Sequence, residues 1–370
     1  MTLRTLSLHG PGAELPREVR AAWRSLRGEA SASPYFHPDY AVAVARVAPA
    51  PVRVLMEGAD TPGAILALQG GRTARPAGAP MSDYHGMVGK ADARVLLRAA
   101  GVGVLSVSGW TRAEPGLAKA PVCRIDLSGG VESWRDTRGD SYRRHSKSHR
   151  RRVRKAARDL GEPRTVWRAR DPETFETLLL WKRAQFAATG KFDVLDGWPG
   201  ALIRDLWERG PDAELRADLH ALYFGDHLAA LDLGLAEGGT FHSWIVAYSG
   251  EFATYGPGIQ LLEALIEAAP ALGYHTLDLG VGLDGYKRHY ANVEAEVGVG
   301  TLRTRGTRAG LSRAWERLET RAEPLARLRR RYAQVQAVEP SSLARARHMG
   351  KAVRRHISAG DPSASDQGPT

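Results

Sequence analysis

Residues 242–287 hold the side chains best suited to proton transfer and anion binding. His242 lies on an apolar, strand-like run at 241–247, and an imidazole that titrates near neutrality suits general-base work. A histidine hydrogen-bonded on a sheet face is the plainer account of it. The run leads into Tyr255-Gly256-Pro257-Gly258, and a helix pattern begins at once with Ile259 and Gln260. The first N–H groups of a helix lack intrahelical partners and carry its positive end, and glycine lets an anion approach them. A strand–glycine turn–helix unit is thus a phosphate cradle, although many such turns only connect elements. Beyond the helix, Asp278 stands in a short strand, and a glycine-rich loop carries Asp284, Tyr286 and Lys287. A carboxylate, a phenol and an ammonium there could accept a proton, protonate a leaving group or face an oxyanion. Aromatic packing and a solvated lysine are the competing accounts of Tyr286 and Lys287.

Other chemistries are poorly supported. Gly280-Val281-Gly282-Leu283-Asp284-Gly285 matches the dinucleotide fingerprint, but no helical apolar stripe follows and a strand pattern arrives at 297–303. A Rossmann unit is therefore not expected. There is no Gly-x-Ser-x-Gly elbow. The single cysteine, Cys123, excludes an internal disulfide framework and a cysteine-based zinc site, and its strand-like surroundings suit a structural thiol. His145 and His149 have helical ligand spacing, but the arginines around them would repel a cation. No metal is expected.

The elements that position these residues recur along 370 residues, enough chain for two cores. Apolar runs at 52–56 and 64–68 read as a hairpin, followed by the loop Ser82-Asp83-Tyr84-His85-Gly86, a helix at 91–100 and strands at 102–108 and 122–127. Asp171 and Pro172 open a helix that closes before Gly190, and a shorter helix follows at 201–208. Runs at 219–224, 228–235 and 241–247, split by Gly225-Asp226 and Glu237-Gly238-Gly239, read as an antiparallel meander. It feeds the helix at 259–269 and the strand at 276–279. The expected class is α/β (α+β), and the two halves look like diverged copies, each with a mixed, mostly antiparallel sheet flanked by helices. A single α/β domain with an unrelated N-terminal extension is the alternative. The expected division is 1–140, 141–305, a basic helical extension at 306–358, and a disordered tail at 359–370.

The ordered string His242-Ser243-Trp244, Tyr255-Gly256-Pro257-Gly258, Gly273-Tyr274, Leu277-Asp278-Leu279-Gly280 and Gly285-Tyr286-Lys287 resembles the CelD/BcsL-type acyltransferases of the GNAT superfamily. Ser33-Pro34-Tyr35-Phe36-His37-Pro38-Asp39-Tyr40 and the 82–86 loop look like that family too. The resemblance implies two GNAT-like folds in tandem, as in FemAB-like enzymes. It implies acyl transfer from a CoA or acyl-carrier thioester to an amine of a cell-envelope precursor, an amino sugar or a long-chain sphingoid base. Under it, Tyr255, Gly256, Gly258, Ile259 and Gln260 hold the donor, while His242, Asp278, Tyr286 and Lys287 are the catalytic candidates. Asp83, His85 and Asp284 would line the acceptor cleft. A tRNA-dependent aminoacyl transferase and a non-catalytic scaffold in envelope synthesis are the alternatives.

A formal net charge of +11 favours an anionic partner. It concentrates at 143–158, which includes Arg150, Arg151, Arg152 and Arg154, and at 303–355. The first stretch could meet donor phosphates, an acyl carrier protein, an anionic lipid surface or RNA; sparse aromatic interleaving argues against RNA. The second reads as basic amphipathic helices, packed on the body or lying on an anionic membrane. No apolar run reaches membrane-spanning length, and the expected location is the cytoplasm, with peripheral contact at the inner membrane face.

Overall fold

The computed structural model describes residues 2–304 except 29, 30, 59, 60 and 284, together with residues 332, 335, 336, 338, 339, 345, 346 and 350. Almost all of the expected helical extension and the whole expected tail lie outside the described residues.

The chain begins with β1 (Leu3–Leu8), α1 (Arg17–Leu26), α2 (Pro38–Val47), β2 (Val52–Glu57), β3 (Ala64–Gly70), β4 (Thr73–Pro76) and the short β5 (Val88–Gly89). It continues with α3 (Ala93–Ala99), β6 (Val104–Trp110), β7 (Ala118–Asp126), α4 (Gly130–Asp136) and α5 (Asp140–Leu160). The later elements are β8 (Pro163–Val166), α6 (Pro172–Ala188), α7 (Trp198–Glu208), β9 (Arg216–Phe224), β10 (His227–Glu237) and β11 (Thr240–Tyr248). A 3-10 turn (Gly250–Tyr255), α8 (Pro257–Ala268), β12 (Thr276–Val281), α9 (Lys287–Tyr290) and β13 (Glu296–Arg303) complete them. The expected hairpin, meander and α6 caps are all present: the Asp171 carboxylate accepts the Thr174 N–H, with Pro172 at the first helical position.

One sheet joins both halves, in the order β1-β2-β3-β4-β6-β13-β7-β12-β11-β10-β9-β8, with β5 beside β3. Each half has the same plan. Antiparallel β1 to β4 lead through α3 to β6, parallel to β4. Antiparallel β8 to β11 lead through α8 to β12, parallel to β11. The following strand of each half then crosses over. β7, which follows β6, pairs with β12 of the second half. β13, which follows β12, pairs with β6 of the first half. The two also pair with each other. Neither half completes its sheet without a strand from the other.

Two apolar layers flank the second half. On one face α6 packs against β11 and α7 against β9, with α2 on α7, in one apolar cluster that includes Leu219, Leu233 and Ile245. On the other, α4, α5 and α8 enclose Phe241, Leu265, Leu277 and Ile125 around the buried Trp134 and Tyr290. The period-2 alternation of the strands divides these sets. It also assigns His242, aligned with the first-face residue Leu235, to the face of α2 and α6.

The described glycine-rich residues 280–283 and 285 are followed by a single helical turn, α9, and then by β13, so among the described residues they open no dinucleotide-binding βαβ unit, as expected.

Candidate active site

Strands β11 and β12 set the centre. They pair in parallel at only three positions, the last being His242 with Asp278. β11 continues to Tyr248 and β12 to Val281 without further pairing, so the two strands part just past these side chains. A bulge between β10 and β11 falls at the same level, where Leu233 pairs Ile245 but Gly234 pairs Ser243, leaving Trp244 as the extra residue. Asp278 is in register with Arg124 on β7. One row across three strands therefore reads Arg124, Asp278, His242.

The second acidic partner comes from the first half. The 82–86 loop is bound to β6, with the His85 N–H donating to the Gly109 carbonyl at 2.7 Å and the Thr111 N–H to the His85 carbonyl at 2.9 Å. This delivers Asp83 Oδ2 to 3.1 Å from His242 Nε2. On the other side of the ring, Nδ1 faces Asp278 Oδ1 at 3.4 Å, an ion-pair distance rather than an aligned hydrogen bond. The Tyr84 hydroxyl and the Gly280 N–H both donate to that same oxygen, at 2.6 and 2.8 Å. The Arg124 guanidinium lies 3.4 Å from Oδ2. Tyr35 and Tyr84 stand edge-on to the imidazole at centroid distances of 5.1 and 5.6 Å.

Burial and charge compete here. His242 is fully buried, which alone disfavours the imidazolium, yet the carboxylates of Asp278 and Asp83 outweigh that and lift its pKa to about 9. Burial pushes the Asp278 carboxyl upward, but His242, Tyr84 and Arg124 overcome it and hold the group below its ordinary value. The two acidic partners thus favour the imidazolium form of His242. That direction runs against the free base that the ordinary pKa of histidine would suit. Asp83 is the accessible member, its side chain 43% exposed, against 0% for His242 and 3% for Asp278.

Gly280 makes the approach possible. Its φ is +82°, and a Cβ there would lie 2.8 Å from Asp83 Oδ2 and 3.7 Å from the His242 ring.

The other candidates fall at the edges of the parted strands. Lys287 donates to the Leu279 carbonyl at 2.6 Å from the β12 side. Tyr286, just before it, is 37% exposed as a residue, while desolvation of its hydroxyl, with Asp232 and Cys123, pushes the phenol up to about 12. Cys123 is buried, its thiol pushed up to about 12 chiefly by desolvation, consistent with a structural thiol. His85 does not face the centre. It is 3% exposed, bonded to Ser82 and to the Ser108 N–H, and burial holds it near pKa 4, so it fixes the loop that carries Asp83. Asp284 lies outside the described residues.

At the far end of β11, Gly256 is left-handed (φ +65°) and opens α8. Six residues separate His242 from Tyr248, about 20 Å of strand, and Gly258 lies beside the Tyr248 ring. Arg152 is part-buried on the inner side of α5, and a Cβ on Gly256 would stand 3.2 Å from its guanidinium. An arginine against an uncapped helix start fits an anion. This differs from the reading of Arg152 as outward basic surface, because helical spacing turns it away from Arg150, Arg151 and Arg154. Gln260 also differs from expectation: it is buried, and its side chain donates to the Tyr255 carbonyl at 3.0 Å, bracing the turn. The Tyr255 ring lies under Lys155, and its hydroxyl donates to Asp159.

Sequence reasoning passed over Tyr84, Arg124 and Gly280. Tyr84 stood inside the quoted loop motif. Arg124 gave no signal, because its role depends on β7 crossing to the other half. Also unforeseen was Asp232 on β10, buried and raised to about 7 by desolvation, its two oxygens each 2.9 Å from the Ser243 hydroxyl.

Residues 143–288, the stretch from α5 into α9 that carries His242 and Asp278, match the acetyltransferase (GNAT) domain family. Among solved structures, the chain is similar to L-PGS from Bacillus licheniformis, at 13% identity over 85% of this chain and 98% of that one, with a TM-score of 0.49. It is similar to FemX at 11% identity over 68% and 87%, TM-score 0.44. It is also similar to a tandem GNAT protein from the clavulanic acid biosynthesis pathway, at 13% identity over 83% and 100%, TM-score 0.42. No curated protein sequence matches the chain.

Proposed function

We propose that this protein is an N-acyltransferase of the CelD/BcsL type, moving an acyl group from a CoA or acyl-carrier thioester to an amine of a cell-envelope precursor. The observation that carries the reading is His242, held between Asp83 and Asp278 where β11 and β12 separate. The α8 start and Arg152 would take the donor's phosphates, and its extended arm would lie along β11, about 20 Å to the centre. The amine would arrive as an ammonium on the accessible Asp83 carboxylate, which takes its proton. The nitrogen then attacks the thioester carbon, the C–S bond breaks, the departing thiolate takes a proton from the Tyr286 phenol, and the proton shed by the new amide nitrogen restores that phenol. Lys287, bonded to the Leu279 carbonyl, would offset negative charge developing on the carbonyl oxygen. His242 acts by fixing Asp83 in place. The amine of an amino sugar or of a long-chain sphingoid base would suit this route.

The test is thiol release from acyl-CoAs of several lengths with a panel of such amines. Turnover that persists unchanged in Asp83→Asn would sink the assignment. A protein that binds tRNA tightly but turns over no thioester would replace this reading with aminoacyl transfer.

A further inference from the structure

Helix α5 has two faces with different work. Tyr142, His145, Arg152, Val153 and Ala156 turn toward the body at helical spacing, each buried or part-buried. The opposite side exposes Arg143, Lys147, Arg150, Arg151, Arg154 and Arg158, spaced so that they form one stripe. From the first to the last is about 22 Å at 1.5 Å per residue. Among the described residues, the ion pairs of this stripe are Arg143 with Asp140 and Arg158 with Asp159, both at its ends and both well exposed. The middle of the stripe has like charges at close spacing, which costs the isolated protein stability. The sequence beyond residue 304 carries a net positive charge of its own.

On the reading above, the donor's own phosphates would meet α5 from its inner side at Arg152 and leave this stripe free for another contact. The stripe also lacks large apolar or aromatic residues. It therefore has nothing to insert below lipid headgroups and no platform on which bases stack. A partner that fits is a folded body with an acidic surface about one helix long. It must also deliver something to the far side of the same helix.

We propose that α5 docks an acidic acyl carrier protein, with the outer stripe holding the carrier's acidic face while the phosphate of its pantetheine arm reaches Arg152 and Gly256. This rests on the acyl-transfer reading above and deepens it, naming a carrier-bound thioester as the donor. The stripe would act chiefly on encounter and register, as surface charge does at protein interfaces, and Arg152 on the arm itself.

The experiment is calorimetric titration of the full chain with a phosphopantetheinylated bacterial acyl carrier protein, with CoA, with phosphatidylglycerol vesicles and with tRNA. Lys147→Glu/Arg150→Glu/Arg154→Glu should weaken the carrier by about tenfold or more while leaving CoA within about twofold. Raising salt from about 0.02 to 0.3 M should weaken wild-type carrier binding and leave the triple variant nearly unaffected. Arg152→Ala should weaken both carrier and CoA. The docking proposal is overturned if the carrier does not bind, if the triple variant binds it as wild type does, or if the variant loses only vesicles or tRNA. If Arg152→Ala leaves CoA binding intact, the donor-site reading fails instead, and the stripe result stands apart from it. Should the charge reversals unfold the chain, the corresponding alanine triple variant provides the same comparison.

Discussion

Replacing Asp83 with asparagine isolates one of the two charges that hold His242 protonated. The side chain keeps its shape and loses its charge 3.1 Å from Nε2. Together the two carboxylates overcome full burial and raise the imidazole from 6.5 to about 9. If they share that lift, losing one should bring the His242 midpoint down to about 7.5 or lower, since the burial penalty remains, a change of roughly 2 kcal/mol. The assay is an NMR titration of the His242 ring carbons in the full chain, assigned with His242→Gln. Wild type should titrate near 9 and Asp83→Asn well below 8. Asp278→Asn should move it in the same direction, but with a larger loss of stability, because Tyr84, Gly280 and Arg124 also converge on that carboxylate. A wild-type midpoint at or below 7, or one that Asp83→Asn leaves in place, would refute the account of His242 as a fixed charge.

Three further outcomes follow from the geometry. Gly280→Ala forces a left-handed alanine and a Cβ 2.8 Å from Asp83 Oδ2; it should cost about 1–2 kcal/mol in denaturant unfolding and lower thioester turnover far more than that stability loss explains, and wild-type turnover would count against the site. Arg152→Ala should raise the donor KM by about tenfold, the worth of one charge-assisted contact, with kcat kept; a fall in kcat at constant KM would place Arg152 elsewhere in the reaction. Because the folded pKa of His242 lies above its ordinary 6.5, its contribution to stability is fully present below that value and disappears as pH rises through about 9, roughly 3 kcal/mol in all. Urea midpoints at about pH 6 and pH 10 should therefore differ by less in His242→Gln than in wild type; equal pH dependence would show that the pair adds nothing to folding.

What could be read in advance divides along a physical line. The hairpin at β2–β3, the meander β9–β11 and the capped α6 are local, their signals lying within a few residues, and they appear in the structure as expected. The strands that carry His242 and Asp278 were also legible, one before the glycine turn and one after the helix that follows it. The crossing of β7 and β13 was not legible. It is set by which sheet edge each strand meets, and nothing in Val122-Cys123-Arg124-Ile125 or in 297–303 distinguishes one edge from the other. That exchange decides the chemistry. It puts Arg124, a residue from the connection between halves, next to Asp278 of the second half. Asp83 reaches His242 because its loop is held to β6, and β6 is tied to the second half through β13 and β7. The site is therefore a property of the joined sheet. A second half expressed alone would keep His242 and Asp278 but lack Asp83, Tyr84 and the β7 arginine. The burial penalty on the imidazolium would then be opposed by a single carboxylate, or relieved by water entering where Tyr35 and Tyr84 had packed. On either course His242 would no longer be a buried charge held in one orientation, so this arrangement needs both halves of the sheet.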